Sequence, residues 1–518
     1  MTDARTLYVN GRILGAGLRP AGEAMLVSSS SILWLGAVVD AAQHQDAALT
    51  VVDLENAVVT TPFVDAHVHL SQIGANLRGL DLSDARSLAE ALSQVETAAR
   101  RAGGRPLLAA NWDETTWPER RPFTARELDR AAYGGVVYAP RIDGHSAVVS
   151  SALAAAARLD PSGMPDGWVV VEANQRARAV FEASVTPAQR HDDLRLAMRH
   201  AASLGVAFLH ENGGVTVSSP EDFADVLQVA DERGMPAVVG YWAELATTDA
   251  EAVALRRSRS GAVGLAGDLN IDGSIGSRTA SLRADYADQP GHRGNPFLTV
   301  AQVRDHVLAC TRAGLQGGFH VIGEAGVDTA IAGFEAAAET VGAEPLRAAR
   351  HRLEHLEMID ADGARRLAWL GVIASVQPAF DAQWGGAGGM YETRLGARWR
   401  RMNPLRTLLD AGVTVALGSD SPVTPIAPWD GLRAAVTHHD EEERITAAEA
   451  FDAHTVGGHR AACSDAGELV AGAAADFVIW DDAGGWFDET GALTLGAMAA
   501  PAPTARETWR AGSRIHPA

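Results

Sequence analysis

Two histidines separated by a single residue are the first candidates for chemistry in this chain. His67 and His69 lie at the end of the apolar stretch FVDAHVHL, and Asp65 precedes His67 by two residues. Because side chains on a β-strand alternate between its faces, all three point to one side if the stretch is a strand. Two imidazoles in this pattern can bind one metal ion, and a nearby carboxylate can orient a ring. The stretch therefore indicates a metal site at a strand end.

Three further polar residues stand at or near the ends of apolar stretches later in the chain. His320 lies in GGFHVIG, His355 ends RLEH, and Asp420 ends ALGSD. Each of them alone is equally well explained as a hydrogen-bonded polar residue that caps a buried strand. Four histidines and an aspartate at the same end of a predicted barrel favour a shared metal site.

The elements that must position these residues alternate between β-like and helical stretches. A (β/α)₈ barrel has eight parallel strands and carries its active site at their C-terminal ends. Most of the apolar stretches end in polar residues, and there are eight of them: FVDAHVHL, GVAFLHENGG, PAVVGYW, GDLNIDGS, GGFHVIG, RLEHLEM, GVIASVQP and VTVALGSD. The sequence thus predicts the α/β class, with a TIM barrel over residues 61–465.

Two regions do not fit the regular alternation. Residues 71–200 are too many for a strand-to-helix loop, so we expect an inserted subdomain after the first barrel strand. Short β-like stretches broken by Gly, Asp and Asn occupy residues 1–60 and 466–518. These predict a small β-sandwich built from both ends of the chain.

The composition limits the kinds of partner. The 518 residues carry a formal net charge of −21, which argues against binding to nucleic acid or to anionic membrane surfaces. The sequence starts without the pattern of a signal peptide and contains no apolar stretch long enough to cross a bilayer. We therefore expect a cytoplasmic protein that acts on a small molecule.

Several stretches resemble those of a known superfamily. FVDAHVHL, HVIGE, RLEH, SVQP and GSDSPV, in this order, resemble the metal-dependent amidohydrolases. NWDE, RIDGHSA, DGSIGSRTA and YADQPGHRG are similar to the amidohydrolase 3 branch, which contains YtcJ-like proteins and N-substituted formamide deformylase. The resemblance covers almost the whole chain. It implies a hydrolase of carbon–nitrogen bonds other than peptide bonds, with one or two Zn²⁺ or other divalent ions, and it allows a homodimer.

The resemblance also implies roles for individual residues. His67 and His69 would bind one metal ion, and His320 and His355 would bind a second ion or, in a one-metal site, the metal and the substrate. Asp420 would contact the metal-bound water and act as general base and then as general acid. An imidazole, for which His355 is the candidate, would help to stabilise the oxyanion.

One departure from the superfamily concerns the ligand that bridges two metal ions. Many members use a carboxylated lysine, but all 44 basic residues here are arginine, so that bridge is excluded. Asp268 aligns with the lysine position, but its side chain is several bonds shorter. Glu182 in AVFEAS is the preferred bridging carboxylate, although a carboxylate near a helix N-terminus is a common structural feature. The remaining alternative is a one-metal site.

A further group of residues is predicted to bind the substrate. For some of these residues a structural role is the alternative to substrate binding. These roles are an ion pair between Arg141 and Asp143, a turn at Asp272, and core packing of Trp112. The predicted set is Trp112, Glu114, Arg141, Asp143, His145, Asp272 and Gln377.

These observations predict a metal-dependent amidohydrolase that cleaves an amide, N-acyl or formamide-type bond with Asp420 as the base and acid. A deaminase or a cyclic amidohydrolase acting on a heterocycle is the alternative enzyme, because one fold hosts both reactions. A non-catalytic binding or regulatory protein on the same scaffold is the alternative outside enzymes. The presence of His67, His69 and Asp420 makes it the less favoured one.

Overall fold

The computed structural model describes residues 5–44, 49–114, 117–142, 146–488, 491, 493–494 and 499–517. The chain forms two compact units. The first consists of Met1–His69 and Met198–Ala518, and the second of Leu70–Ala197.

Within the described residues the strands and helices follow one another along the whole chain. The strands are β1 (Arg5–Val9), β2 (Arg12–Leu14), β3 (Pro20–Gly22), β4 (Ala24–Ser28), β5 (Ser31–Gly36), β6 (Leu49–Asp53), β7 (Val58–Thr60), β8 (Phe63–Val68), β9 (Leu80–Asp81), β10 (Leu107–Ala110), β11 (Val137–Pro140), β12 (Ser146–Val149), β13 (Trp168–Val170), β14 (Val206–Gly214), β15 (Ala237–Ala243), β16 (Ala262–Leu265), β17 (Gln316–Val321), β18 (Arg352–His355), β19 (Ile373–Val376), β20 (Val415–Leu417), β21 (Phe477–Asp481), β22 (Thr504–Arg510) and β23 (Ser513–His516). The α-helices are α1 (Leu70–Arg78), α2 (Leu88–Ala102), α3 (Ala125–Ala131), α4 (Ser151–Ala156), α5 (Val171–Ala183), α6 (Pro187–Ser203), α7 (Pro220–Ala230), α8 (Asp249–Ser258), α9 (Val300–Arg312), α10 (Glu324–Val341), α11 (Ala343–Ala349), α12 (Ala361–Leu370), α13 (Pro378–Trp384), α14 (Met390–Leu395), α15 (Leu405–Asp410), α16 (Pro428–Val436), α17 (Ala447–Ala453) and α18 (Val456–Ala461).

An eight-stranded parallel sheet forms the barrel of the first unit. Its strand order is β8, β14, β15, β16, β17, β18, β19 and β20. The first and last strands meet just beyond β20, where the Asp420 N–H donates to the His67 carbonyl at 2.8 Å and the His69 N–H to the Ser421 carbonyl at 2.9 Å. The predicted (β/α)₈ barrel is confirmed, and its closure brings the histidines of β8 next to Asp420.

The fourth barrel strand was predicted at the wrong position. The sequence predicted it within GDLNIDGS, residues 267–274, whereas β16 is the preceding stretch Ala262–Leu265. The apolar residues of this earlier stretch are the ones that pair with β15 and β17. Asp268 therefore follows the C-terminal end of the strand, where a barrel carries its active-site residues.

Strands from both ends of the chain share one sheet. A six-stranded sheet has the order β23, β22, β21, β7, β2 and β3, and a four-stranded sheet has the order β5, β4, β1 and β6. Buried side chains from both sheets pack into a single cluster, among them Tyr8, Met25, Ile13, Val59 and Phe477. This is the packing of a small β-sandwich.

Side chains at several helix starts stabilise the first turn. At α8, the Thr248 hydroxyl accepts from the Glu251 N–H while the Glu251 side chain accepts from the Thr248 N–H, and α3, α9 and α17 begin in the same way. This capping box satisfies backbone donors that a helix cannot satisfy internally. None of the helices in the described part of the chain is both long enough and apolar enough to cross a lipid bilayer.

The second unit has a sheet of its own. Its five strands have the order β13, β12, β11, β10 and β9. The core of the unit is built around Trp112, Trp117 and Phe123, which are nearly or completely buried. The stretches PLLAANWDE and GVVYAPRIDGHSA contain β10 and β11, respectively.

Candidate metal centre

Four imidazoles surround the carboxylate of Asp268 in the first unit. From its oxygens, the nearest ring nitrogens are His67 Nε2 at 3.5 Å, His69 Nε2 at 3.3 Å, His320 Nδ1 at 3.6 Å and His355 Nε2 at 3.9 Å. These histidines come from or just after β8, β17 and β18, three strands that are distant in sequence. The structure therefore brings together all four histidines that the sequence analysis selected.

Asp420 supplies a second carboxylate to the same cluster. Its Oδ1 lies 3.2 Å from His69 Nε2 and 3.5 Å from His67 Nε2. Asp420 and His355 both adopt left-handed backbone conformations, with φ of 55° and 73°. Such conformations are unfavourable for residues other than glycine and often occur at functional sites.

Three of the histidines are held through their Nδ1 atoms. In each of them, an N–H at Nδ1 donates to an oxygen of a neighbouring residue, so the lone pair of Nε2 is left to face the cluster. The acceptors are Glu354 Oε2 for His67 at 2.9 Å, the Asn212 carbonyl for His69 at 3.1 Å, and Gln377 Oε1 for His355 at 2.8 Å. Gln377, predicted to bind substrate, thus orients a candidate ligand.

The residues of this cluster fit a divalent cation. When Nδ1 of His67, His69 and His355 carries the hydrogen, the lone pair of each Nε2 faces a carboxylate oxygen. Two hydrogen-bond acceptors then face each other with no hydrogen between them. Within the described residues, His67 Nε2 and Asp268 Oδ1 are buried atoms without a hydrogen-bond partner, which costs about 1–3 kcal/mol for each group. A metal ion accepts electron pairs from both kinds of atom, and imidazole with carboxylate is a donor set typical of zinc. Potential ligand atoms of His67, Asp268 and His355 all lie within 4.8 Å of one another.

The charges of the cluster also favour a cation. Burial opposes ionisation of Asp268, but when protons rather than a metal ion occupy the cluster, the charge of a protonated His67 and hydrogen bonds from the neighbouring imidazoles hold the pKa of this carboxyl well below its usual value. Burial likewise opposes ionisation of Asp420, and His67 and His69 lower its pKa. The site thus presents two carboxylates side by side.

Asp65 holds the backbone of two segments that carry the cluster. Its Oδ1 accepts the Ser419 N–H at 2.9 Å and the His67 N–H at 3.3 Å. It therefore ties the first barrel strand to the segment that carries Asp420.

Family comparison agrees with this geometry. Residues 50–516 match the model of the amidohydrolase family. The chain belongs to the amidohydrolase family. It is accordingly a hydrolase that acts on carbon–nitrogen bonds, and the histidine and aspartate clusters support a metal-dependent member. The resemblance stated from the sequence is confirmed.

Individual relatives extend over most of the chain. The putative amidohydrolase YtcJ of Bacillus subtilis is 26% identical, with 76% of each chain covered. The N-substituted formamide deformylase of Arthrobacter pascens is 23% identical, with 93% of this chain and 94% of the relative covered. A solved structure of an uncharacterized metal-dependent hydrolase from Pyrococcus furiosus has a TM-score of 0.77 at 23% identity, covering 94% of this chain and 100% of that one. It shares the fold of this amidohydrolase.

Three of the predicted substrate-binding residues lie in the second unit. Trp112 is fully buried there, and its indole N–H donates to the Ala139 carbonyl at 3.1 Å. Arg141 pairs with Glu114 and with Asp113, both at 2.9 Å. Within the second unit, Trp112 is thus a core residue, and Arg141 and Glu114 form an ion pair.

Two other predicted residues, Asp143 and His145, lie outside the described residues. Their substrate-binding roles stay predictions.

Glu182, the preferred bridging ligand, lies on α5 of the second unit and is exposed. Its charge acts on Tyr138 and Arg178 of the same unit. The proposal that it binds a metal ion stays a prediction, whereas Asp268 stands among the four histidines.

Asp272, also predicted to bind substrate, holds two loops of the barrel together. Its carboxylate accepts N–H groups from Ile322 at 2.9 Å, from Gly323 at 2.8 Å and from Ser281 at 2.8 Å. Ile322 follows His320 by two residues. Asp272 thus fixes the backbone that carries a candidate ligand.

We expect Asp272→Asn to lower stability and activity together. The amide can accept fewer N–H groups, and a hydrogen bond to a charged group contributes about 1.5–3 kcal/mol. Urea unfolding should show a loss of this size, and kcat should fall because His320 is less well placed. Equal stability of mutant and parent would contradict this role.

Sequence reasoning missed the pair that orients His67. Arg352 and Glu354 lie on β18, both fully buried, and the Arg352 Nε donates to Glu354 Oε1 at 2.5 Å. Two opposite charges within a stretch that is predicted to be a barrel strand were the available signal.

Proposed function

We propose that this amidohydrolase uses a divalent metal ion to hydrolyse the carbon–nitrogen bond of a small amide, N-acyl or formamide-type molecule. The observation that carries the proposal is the pair of carboxylates, Asp268 and Asp420, that faces four imidazoles at the C-terminal end of the barrel. The name of the relative N-substituted formamide deformylase supports the substrate class.

The residues of the chain divide the chemistry between them. When bound, a divalent ion lowers the pKa of a coordinated water molecule and polarises a carbonyl group. His67, His69, His320 and His355 would hold the cation together with Asp268. Asp420, whose Oδ1 lies 3.2 Å from His69 Nε2, would accept a proton from the attacking water and deliver it to the departing nitrogen.

We expect Asp420→Asn to separate metal binding from turnover. The imidazoles and Asp268 remain, so the metal content should stay close to that of the parent protein. Loss of the general base should lower kcat by about 10²–10⁴-fold. The measurement is turnover of a panel of N-formyl and N-acyl amines by Zn²⁺-reconstituted protein, with metal analysis of each sample.

Asp465→Asn is the matched control, because the Asp465 side chain is 83% exposed and far from the cluster in sequence. It should leave both readouts unchanged. Full activity of Asp420→Asn would refute the role of Asp420. Absence of a bound divalent ion, with no hydrolysis after Zn²⁺ or Mn²⁺ is added, would refute the proposed function itself.

The cellular setting is also a proposal. A net charge of −21 supports a small-molecule substrate over nucleic acid, and we propose a cytoplasmic enzyme. The family resemblance supports a homodimer, which sedimentation of the purified protein would test.

A further inference from the structure

A second cluster of potential metal ligands lies elsewhere in the first unit. Asp381 lies on α13, and His438 and His439 follow the end of α16. Their side chains are 3%, 0% and 10% exposed. One potential ligand atom from each residue lies within 4.8 Å of the other two, and the cluster shares no residue with the candidate catalytic centre.

The orientation of His439 places its free lone pair against a carboxylate. Its Nε2 lies 3.3 Å from the Arg400 carbonyl, to which it can donate a hydrogen bond. In the neutral ring the lone pair is then on Nδ1, which contacts Asp381 Oδ1 directly. In this tautomer two acceptors are in contact, and a metal ion bound between them removes the conflict. With the ring hydrogen on Nδ1 instead, the same contact is a hydrogen bond to Asp381.

His438 adds a second imidazole to the same carboxylate oxygen. Its Nε2 is buried, lies 3.5 Å from Asp381 Oδ1, and has no hydrogen-bond partner among the described residues. Its Nδ1 lies 3.2 Å from the Asp440 carbonyl. The Asp440 N–H lies 3.1 Å from the same Nδ1, so either tautomer of His438 has a backbone partner there. With the hydrogen on Nδ1, the Nε2 lone pair faces Asp381, which is how metal-binding histidines are usually held. With the hydrogen on Nε2, that buried N–H makes no hydrogen bond within the described residues.

We propose that Asp381, His438 and His439 form a second divalent metal site that links α13 to the segment after α16. The set of two imidazoles and one carboxylate suits Zn²⁺, Co²⁺ or Ni²⁺ better than Ca²⁺ or Mg²⁺. A bound ion satisfies both facing lone pairs and the buried His438 Nε2 at once. A proton on His439 satisfies only the contact with Asp381 and leaves His438 Nε2 without a partner. The site is independent of the proposed catalytic function.

The test removes the catalytic cluster first. In a His67→Asn/His69→Asn/Asp268→Asn background, we expect dialysed protein to retain about one equivalent of Zn²⁺ or Co²⁺ per chain. Adding His438→Gln or Asp381→Asn to this background should remove that equivalent, and the Co²⁺ absorption bands should disappear with it. Circular dichroism and thermal unfolding check that each variant is folded.

The control in the same background is His292→Gln. The His292 ring is half-buried, its Nε2 lies 2.7 Å from the Arg278 carbonyl, and it does not belong to the cluster. It should keep the bound ion. If the background variant does not fold, His438→Gln in the otherwise unchanged enzyme should lose one equivalent of metal while hydrolysis is retained. A folded background variant that binds no metal ion, or one whose metal content is insensitive to Asp381 and His438, would overturn the proposal. If an enzyme that still binds the ion of the second site shows no hydrolysis, the proposed catalytic function is contradicted and the second site is not.

Discussion

Asp268→Asn is expected to lose most of the metal and nearly all of the activity. The carboxylate lies 3.3–3.9 Å from ring nitrogens of four histidines, and its replacement leaves a neutral amide in their midst. Removing one partner of a buried charged cluster costs about 3–5 kcal/mol, which corresponds to about 10²–10⁴-fold in metal affinity. Metal titration and turnover of the reconstituted protein measure both effects.

Glu182→Gln is the decisive companion variant. If Asp268 supplies the carboxylate at the metal centre, Glu182→Gln should bind metal like the parent protein. If Glu182 is the bridging ligand, this variant should lose metal, and Asp268→Asn should keep a larger share of it. Unchanged metal affinity in Asp268→Asn would show that Asp268 is not a ligand of the metal centre.

Arg352→Met should have the largest effect on stability. The guanidinium is fully buried and donates to Glu354, to the Ala66 carbonyl at 2.7 Å and to Ser375 Oγ at 3.0 Å. Together with His67 it holds the pKa of the buried Glu354 carboxyl below its usual value despite the opposing effect of burial. Methionine would leave that carboxylate without its main partner, so we expect a loss of about 3–5 kcal/mol in the free energy of unfolding.

The double variant Arg352→Met/Glu354→Leu separates stability from positioning. Replacing both charges with apolar side chains should recover much of the lost stability, because no buried charge remains. Metal affinity should still fall by about 10–100-fold, since His67 loses the acceptor of its Nδ1 hydrogen. Arg365→Met, in an exposed pair with Asp362, should change stability by no more than about 0.5 kcal/mol. Wild-type metal affinity in the double variant would show that Glu354 does not position His67.

The histidines of the metal centre could be predicted because the relevant information is local. An apolar stretch that ends in a polar residue predicts a strand end, and parallel barrel strands bring their C-terminal ends together. His67, His69, His320 and His355 all follow from this rule. Asp420 follows from the same rule, and the family resemblance gave it a role.

Asp268 was harder to predict because its role depends on distances between segments. Its side chain is several bonds shorter than a carboxylated lysine, and the sequence does not show where β16 ends or how close His67 and His69 approach. The same limitation moved the predicted fourth strand onto residues 267–274. A pattern of apolar residues does not fix which of two adjacent short stretches pairs with its neighbours.

The contact of Glu354 with His67, and the ion pair of Glu354 with Arg352 that supports it, also depend on tertiary structure. Arg352 and Glu354 are distant from His67 in sequence, and only barrel closure brings Glu354 within 2.9 Å of its ring. Their burial was not predictable from composition, because charged residues are usually exposed unless paired.

Anomalous diffraction at the zinc absorption edge, from crystals of Zn²⁺-loaded protein, tests the central claim most directly. We predict an anomalous peak within bonding distance of Asp268 and of His67, His69, His320 or His355. A metal ion that is bound by some of these histidines but lies away from Asp268, or no peak at this cluster, would contradict the account.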